Sequence, residues 1–128
     1  MARPAEEGLT ARESQIMSVL WERGEATVEE VRDQLPDALS GSTVRTLLQI
    51  MHDKGYVGST KRGKAKVYRP LAAREQVQTS ALRTLTARLF QGSAGLLVAR
   101  LVEEEEISLE QLDALRRQLR RHQKGDLA

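Results

Sequence analysis

The sequence predicts a mainly α-helical protein with one small β-hairpin, divided near residue 70 into an N-terminal and a C-terminal part. Three observations predict it. Apolar residues recur at helical spacing over most of the 128 residues. Two short strand-like runs, Tyr56–Thr60 and Ala65–Arg69, flank the turn Lys61-Arg62-Gly63-Lys64. Positive charge, finally, is concentrated between Ser40 and Pro70. That segment holds Arg45, Lys54, Lys61, Arg62, Lys64, Lys66 and Arg69 against Asp53 alone, a net of +6. Residues 1–39 carry −5 and residues 71–128 carry +1, so the overall +2 conceals a local basic surplus. A surplus of this kind fits a surface that binds a polyanion.

In chain order, Thr10 and Glu13 have capping-box spacing and open a first helix, with Ile16, Met17 and Leu20 on its inner stripe and Gly24 at its end. Trp21, the single tryptophan, flanks that stripe as a core or interdomain residue. Thr27 and Glu30 repeat the spacing for a second helix, whose inner face is Val28, Val31 and Leu35 and which Pro36 limits to about two turns. A third helix carries Val44, Leu47, Leu48 and Met51 inward, with Ser42 as its expected N-cap and Gly55 at its C-terminal end. Its opposite face holds Arg45, Thr46, Gln49 and His52, side chains suited to phosphates and base edges.

Two helices in sequence, the second with a polar outer face, followed by a basic hairpin, have the plan of a winged helix-turn-helix. In that plan the helix enters the major groove and the hairpin, or wing, rides on the phosphates. The competing readings are a winged helix used for protein–protein contact and a DNA-binding protein without sequence preference.

After Pro70 the pattern becomes leucine-rich. Val77, Ala81, Leu85 and Leu89 mark a helix ending at Phe90-Gln91-Gly92, and Ser93 caps a short one through Leu97, Leu101 and Val102. The run Glu103–Glu106 reads as a solvated helix end. Ser108 and Gln111 open a last helix with Leu109, Leu112, Leu115 and Leu119 on one stripe and Arg116, Arg117, Arg120, Arg121 and Lys124 toward its C-terminus, where cations suit the helix dipole. Helices this short do not bury an apolar face unaided, and a second copy of the chain would cover it.

Other function classes find little support. There is no cysteine, hence no disulfide, thiolate metal site or cysteine nucleophile. His52 and His122 are the two histidines, without paired-ligand spacing, and no phosphate loop or nucleophile elbow occurs, so neither enzyme activity, metal nor cofactor is expected. The first eight residues lack a signal-peptide core, and no run approaches the ~20 apolar residues of a membrane span. A cytoplasmic protein without membrane insertion is expected.

The ordered motifs Leu9-Thr10-x-x-Glu13, Val19-Leu20-Trp21, Ala26-Thr27-Val28-x-x-Val31, Leu35-Pro36, Thr43-Val44-x-Thr46-Leu47-Leu48, Lys54-Gly55-Tyr56-Val57, Gly63-x-x-x-x-Tyr68-x-Pro70 and Phe90-x-Gly92-Ser93 resemble those of the BlaI/MecI/CopY penicillinase repressors. The resemblance spans residues 9–120. It implies a winged helix-turn-helix over 9–70 that binds palindromic operator DNA, a three-helix dimerisation region over 71–124, and flexible tails at 1–8 and 125–128. Base and backbone contacts would fall to Ser42, Thr43, Arg45, Thr46 and Gln49, with the wing on Lys61, Arg62, Lys64 and Lys66. Dimerisation would fall to Leu85, Leu89, Leu97, Leu101, Leu112, Leu115 and Leu119. The family commonly has Arg at the position of Gln49 or Ile50, and this chain does not, so the operator sequence is not carried over. Copper-responsive members use a cysteine-rich tail, which is absent here. β-Lactam-responsive members are cut at an Asn-Phe bond by a membrane-linked metalloprotease; the spacing from Phe90 places Arg100-Leu101 there, the candidate cleavage position for a cognate sensor protease.

Overall fold

The computed structural model describes residues 8–127, with side chains described through residue 123. The expected tail at 1–8 therefore lies outside the described residues except for Gly8, as do the side chains of 124–128. Among the described residues there are six helices and three strands: α1 (Ala11–Arg23), β1 (Ala26–Thr27), α2 (Val28–Gln34), α3 (Gly41–Asp53), β2 (Val57–Arg62), β3 (Ala65–Pro70), α4 (Arg74–Leu89), α5 (Ala94–Glu103) and α6 (Leu109–Leu127). The chain forms two compact units, Met1–Leu82 and Arg83–Ala128. The division falls inside α4, later than the change of composition at Pro70.

In the first unit local chemistry sets the helix starts. The Thr10 hydroxyl accepts from the Glu13 N–H at 3.2 Å and the Thr10 N–H donates to the Glu13 carboxylate at 2.8 Å. Thr27 and Glu30 make the same reciprocal pair at 3.2 and 2.9 Å. The N-cap of α3 is Ser40, not Ser42: its backbone is extended (φ −72°, ψ 155°) and its hydroxyl accepts from the Thr43 N–H at 3.1 Å. Both serines offer a capping oxygen, and the apolar stripe starts only at Val44, so periodicity does not separate the two starts. The earlier start adds Gly41 and Ser42 to the helix.

The end of α3 is a Schellman turn. Gly55 has φ 90°, its N–H donates to the His52 carbonyl, and the Tyr56 N–H donates to the Met51 carbonyl, each at 3.0 Å. Gly55→Ala is expected to cost about 1–2 kcal/mol, the strain of a side chain in the left-handed region, read as a lower urea midpoint with an unchanged slope.

Ile16, Met17 and Leu20 of α1, Val31 of α2, and Val44, Leu48 and Met51 of α3 are wholly buried and make the core. Leu47 is only partly buried at its edge, and Trp21 is half-buried against it. The sheet closes the core with order β1-β3-β2, antiparallel throughout. In the sequence Ala26-Thr27 signals only a helix start; in the fold it is also β1, pairing Ala26 with Tyr68 and Thr27 with Val67. The hairpin strands are longer than expected. Lys61 pairs with Lys66 and Arg62 with Ala65, which reduces the turn to Gly63-Lys64. Lys61 and Arg62 look like loop residues by polarity, but backbone pairing is indifferent to it. Gly63 has φ 65°, the left-handed first position of a type II′ turn.

In the second unit, Ser93 caps α5, its hydroxyl accepting from the Leu96 N–H at 3.0 Å. Ser108 and Gln111 form the expected capping box at 2.8 and 3.0 Å. Glu103–Glu106 are exposed and end α5. α6 runs on through Leu127, into the segment expected to be a tail. No residue between 83 and 123 is buried in the single chain.

Candidate nucleic-acid interface

The inner stripe of α3 is tied into the core, so its outer face is fixed in rotation. Ser42, Thr43, Arg45, Thr46 and Gln49 are all exposed on it. Several are held by local hydrogen bonds. The Thr46 hydroxyl donates to the Ser42 carbonyl at 3.0 Å, Gln49 Nε2 donates to Asp53 Oδ1 at 3.1 Å, and the Ser40 hydroxyl donates to Thr43 Oγ1 at 2.9 Å. Arg45 has no anionic partner among the described residues. The face also includes Ile50, 42% exposed beside Gln49, an apolar group suited to a thymine methyl. In the sequence Ile50 stands out only as a position where the family often has arginine; its exposure on this face is a property of the fold.

The wing presents its cations on two faces, because cross-strand partners share a side of the sheet. Lys61 and Lys66 stand directly opposite one another on the face of Tyr68, and Lys66 Nζ lies 5.6 Å from the centre of that ring. Two like charges in register repel, and an anion between them relieves the repulsion. Ser59 and Thr60 line the same shallow hollow. Lys64 is exposed at the turn.

Two expected contributors to the basic surplus have carboxylate partners. Arg62 donates from both terminal nitrogens to Glu25, at 2.8 and 3.3 Å; that hydrogen-bonded carboxylate, and then its charge, raises the guanidinium pKa further. Lys54 turns inward to Glu13 at 2.9 and 3.2 Å, where Glu13 is only 2% exposed. Arg45, Lys61, Lys64, Lys66 and Arg69 remain as exposed cations without a carboxylate partner among the described residues.

The remaining candidates lie in the second unit or at its entrance. Leu85, Leu89, Leu101, Leu115 and Leu119 are between 40% and 71% exposed, and Leu97 and Leu112 are partly exposed. Arg100 and Leu101 lie in the last turn of α5, where Arg100 pairs with Glu103 at 2.6 Å. No described helix is long and apolar enough to cross a membrane.

A model of the penicillinase repressor family matches residues 9–121. The methicillin resistance regulatory protein MecI of Staphylococcus aureus (strain N315) is 23% identical over 110 residues, covering 84% of this chain and 89% of MecI. The solved DNA-binding domain of the repressor BlaI is similar with a TM-score of 0.52 at 24% identity, over 59% of this chain and 93% of that domain. A MarR family protein from Bacillus stearothermophilus is similar with a TM-score of 0.53 at 19% identity, over 98% of this chain and 80% of its own. Together with the three-stranded sheet and the helix order, these likenesses agree on one fold: the chain belongs to the penicillinase repressor family, the BlaI/MecI group of winged-helix DNA-binding transcriptional repressors.

Proposed function

We propose that this chain represses transcription as a homodimer on a palindromic operator, with one α3 in the major groove of each half-site and one wing on the flanking phosphates. The observation that carries the reading is a rotationally fixed polar helix face followed in the chain by a wing that bears the opposed Lys61–Lys66 pair. Arg45, Gln49, Thr43 and Thr46 are the base and near-base contacts, with Ser42 on phosphate at the helix start. Lys61, Lys64 and Lys66 hold the backbone. Arg62 joins them by exchanging Glu25 for a phosphate.

Binding of the purified chain to DNA upstream of its own gene, against random DNA across a salt series, tests the reading. A footprint over a palindrome with two chains bound supports it; equal affinity for both DNAs overturns it. Point changes should then separate. Lys64→Ala or Lys66→Ala should weaken binding to every sequence and lower the salt slope by about one unit each. Arg45→Ala or Gln49→Ala should cost about 1–3 kcal/mol at one base position and relax specificity there.

Release follows from the same reading. A membrane-linked protease accepting Arg100-Leu101 would cut the last turn of α5 and release α6, with its Leu112, Leu115 and Leu119 stripe, from the rest of the chain, weakening the dimer and returning each DNA-binding unit to half-site affinity. Leu101→Pro, or Arg100→Glu with fragment mapping by mass spectrometry in the native host, locates the bond.

A further inference from the structure

The connection from the wing to α4 is fastened at every residue. Leu71 and Ala72 both donate their N–H groups to the Tyr56 carbonyl, at 2.8 and 3.4 Å. The Ala72 carbonyl accepts from the Trp21 indole N–H at 2.9 Å, although 51 residues separate them in sequence. The Ala73 N–H donates to Gln76 Oε1 at 3.1 Å, and the Arg74 guanidinium lies 5.4 Å from the centre of the Trp21 ring. Leu71 covers Gly58 so closely that a methyl group there would meet its side chain at 3.2 Å. Val77, one turn into α4, packs on the core. All of these bonds lie within the first unit and seat the first turns of α4 on it.

We infer that Trp21 and Arg74 are positioning residues that fix the direction in which α4 leaves the DNA-binding unit, and that the dimer thereby discriminates half-site spacing. The inference rests on the homodimeric reading above. Neither side chain belongs to the reading face of α3 or to the wing. Both act through α4, an uninterrupted helix of 16 residues that continues into the second unit. Indole is the suitable group at this position: its flat face accepts a guanidinium while its edge donates one hydrogen bond to backbone. If α4 departs at a fixed angle, two half-sites at one separation are engaged together and others only singly. If it swivels, the two units behave as independently tethered modules and spacing matters little.

The test uses the full-length chain and the footprinted palindrome, with zero, two or five base pairs inserted at its centre, and a single half-site as reference. Five base pairs turn one half-site by about half a helical turn. Wild type should lose about 100-fold or more on the five-pair insert, the scale of an avidity term. Trp21→Phe keeps an aromatic ring and removes the N–H; Arg74→Ala removes an exposed group and leaves the core intact. Both variants should keep wild-type affinity for the half-site while their penalty on the insert falls to about 10-fold or less. Variants with the wild-type spacing penalty overturn the clamp while leaving the repressor intact. A wild type that binds no palindrome as a dimer overturns both, and the two failures are told apart by the wild-type lane alone. Should Trp21→Phe lower the melting temperature, Arg74→Ala still decides the matter.

Discussion

Replacing Leu115 and Leu119 together by Asp is expected to yield a monomer whose operator affinity is about 10²–10⁴-fold below wild type, the range by which linking two sites exceeds one. In the single chain none of the residues between 83 and 123 is buried, whereas the first unit has a closed core. Leu85, Leu89, Leu101, Leu115 and Leu119 each leave between 40% and 71% of their surface in water. At about 25 cal/mol per Å² of apolar surface, covering such side chains is a strong drive to association. A second copy has the same stripes to offer, and two-fold pairing places each against its equivalent. Isolated helices of 10 residues such as α5 are marginal without packing, so the monomer should also lose helix content. Sedimentation equilibrium at the concentrations of the binding assay, with circular dichroism alongside, measures both. A wild type that sediments as a monomer, or a double variant that stays dimeric, refutes the assignment of these leucines.

Helix boundaries were readable from sequence wherever the determinant is local. Thr10 with Glu13, Thr27 with Glu30, and Ser108 with Gln111 are three-residue rules, and each is present in the structure. Gly24 and Gly55 ended their helices because only a positive φ fits there. Ser40 and Ser42 could not be separated by the same rules, since either offers the oxygen. β1 was invisible for another reason. Two residues carry no periodicity, and their strand character exists only through pairing with Tyr68 and Val67 about forty positions later. The exposed face of α3 was legible because the apolar stripe fixes its rotation. The charge count was legible only as a sum. Lys54 and Arg62 look like their neighbours in sequence, and what sets them apart is a carboxylate 41 or 37 residues away.

Lys54→Ala should destabilise the fold by about 3 kcal/mol, the low end of the cost of orphaning a buried charge, because water can reach the Glu13 carboxylate from the partly exposed side that the lysine occupied. The Lys54 side chain is 18% exposed and that of Glu13 is 2% exposed. Glu13 also accepts from the Thr10 N–H at 2.8 Å, and Lys54 Nζ reaches the Gly8 carbonyl at 3.3 Å. One carboxylate thus joins the start of α1 to the end of α3, the helix proposed to carry the reading face. Burial by itself would raise the Glu13 pKa, but the Thr10 N–H and the hydrogen bond and charge of Lys54 outweigh it and hold the group below its ordinary 4.5. A depressed folded-state pKa means stability that is present above about pH 4.5 and is lost as pH falls through the lower folded value. Wild type should therefore weaken in that acid window, and Glu13→Gln, which has no charge to lose, should show a flatter profile there. Lys54→Ala should show less acid loss than wild type as well, since its carboxylate has lost the cation that depressed the pKa. Glu13→Gln combined with Lys54→Met removes both charges and keeps an acceptor for Thr10, so it should recover most of the stability lost in Lys54→Ala. Urea unfolding at pH 7 and at intervals down to pH 3 measures all four chains. If the double variant, whose Met refills the space of the lysine stem, is no more stable than Lys54→Ala, the unpaired carboxylate is not what the single change costs, and the electrostatic account of how α3 is seated fails.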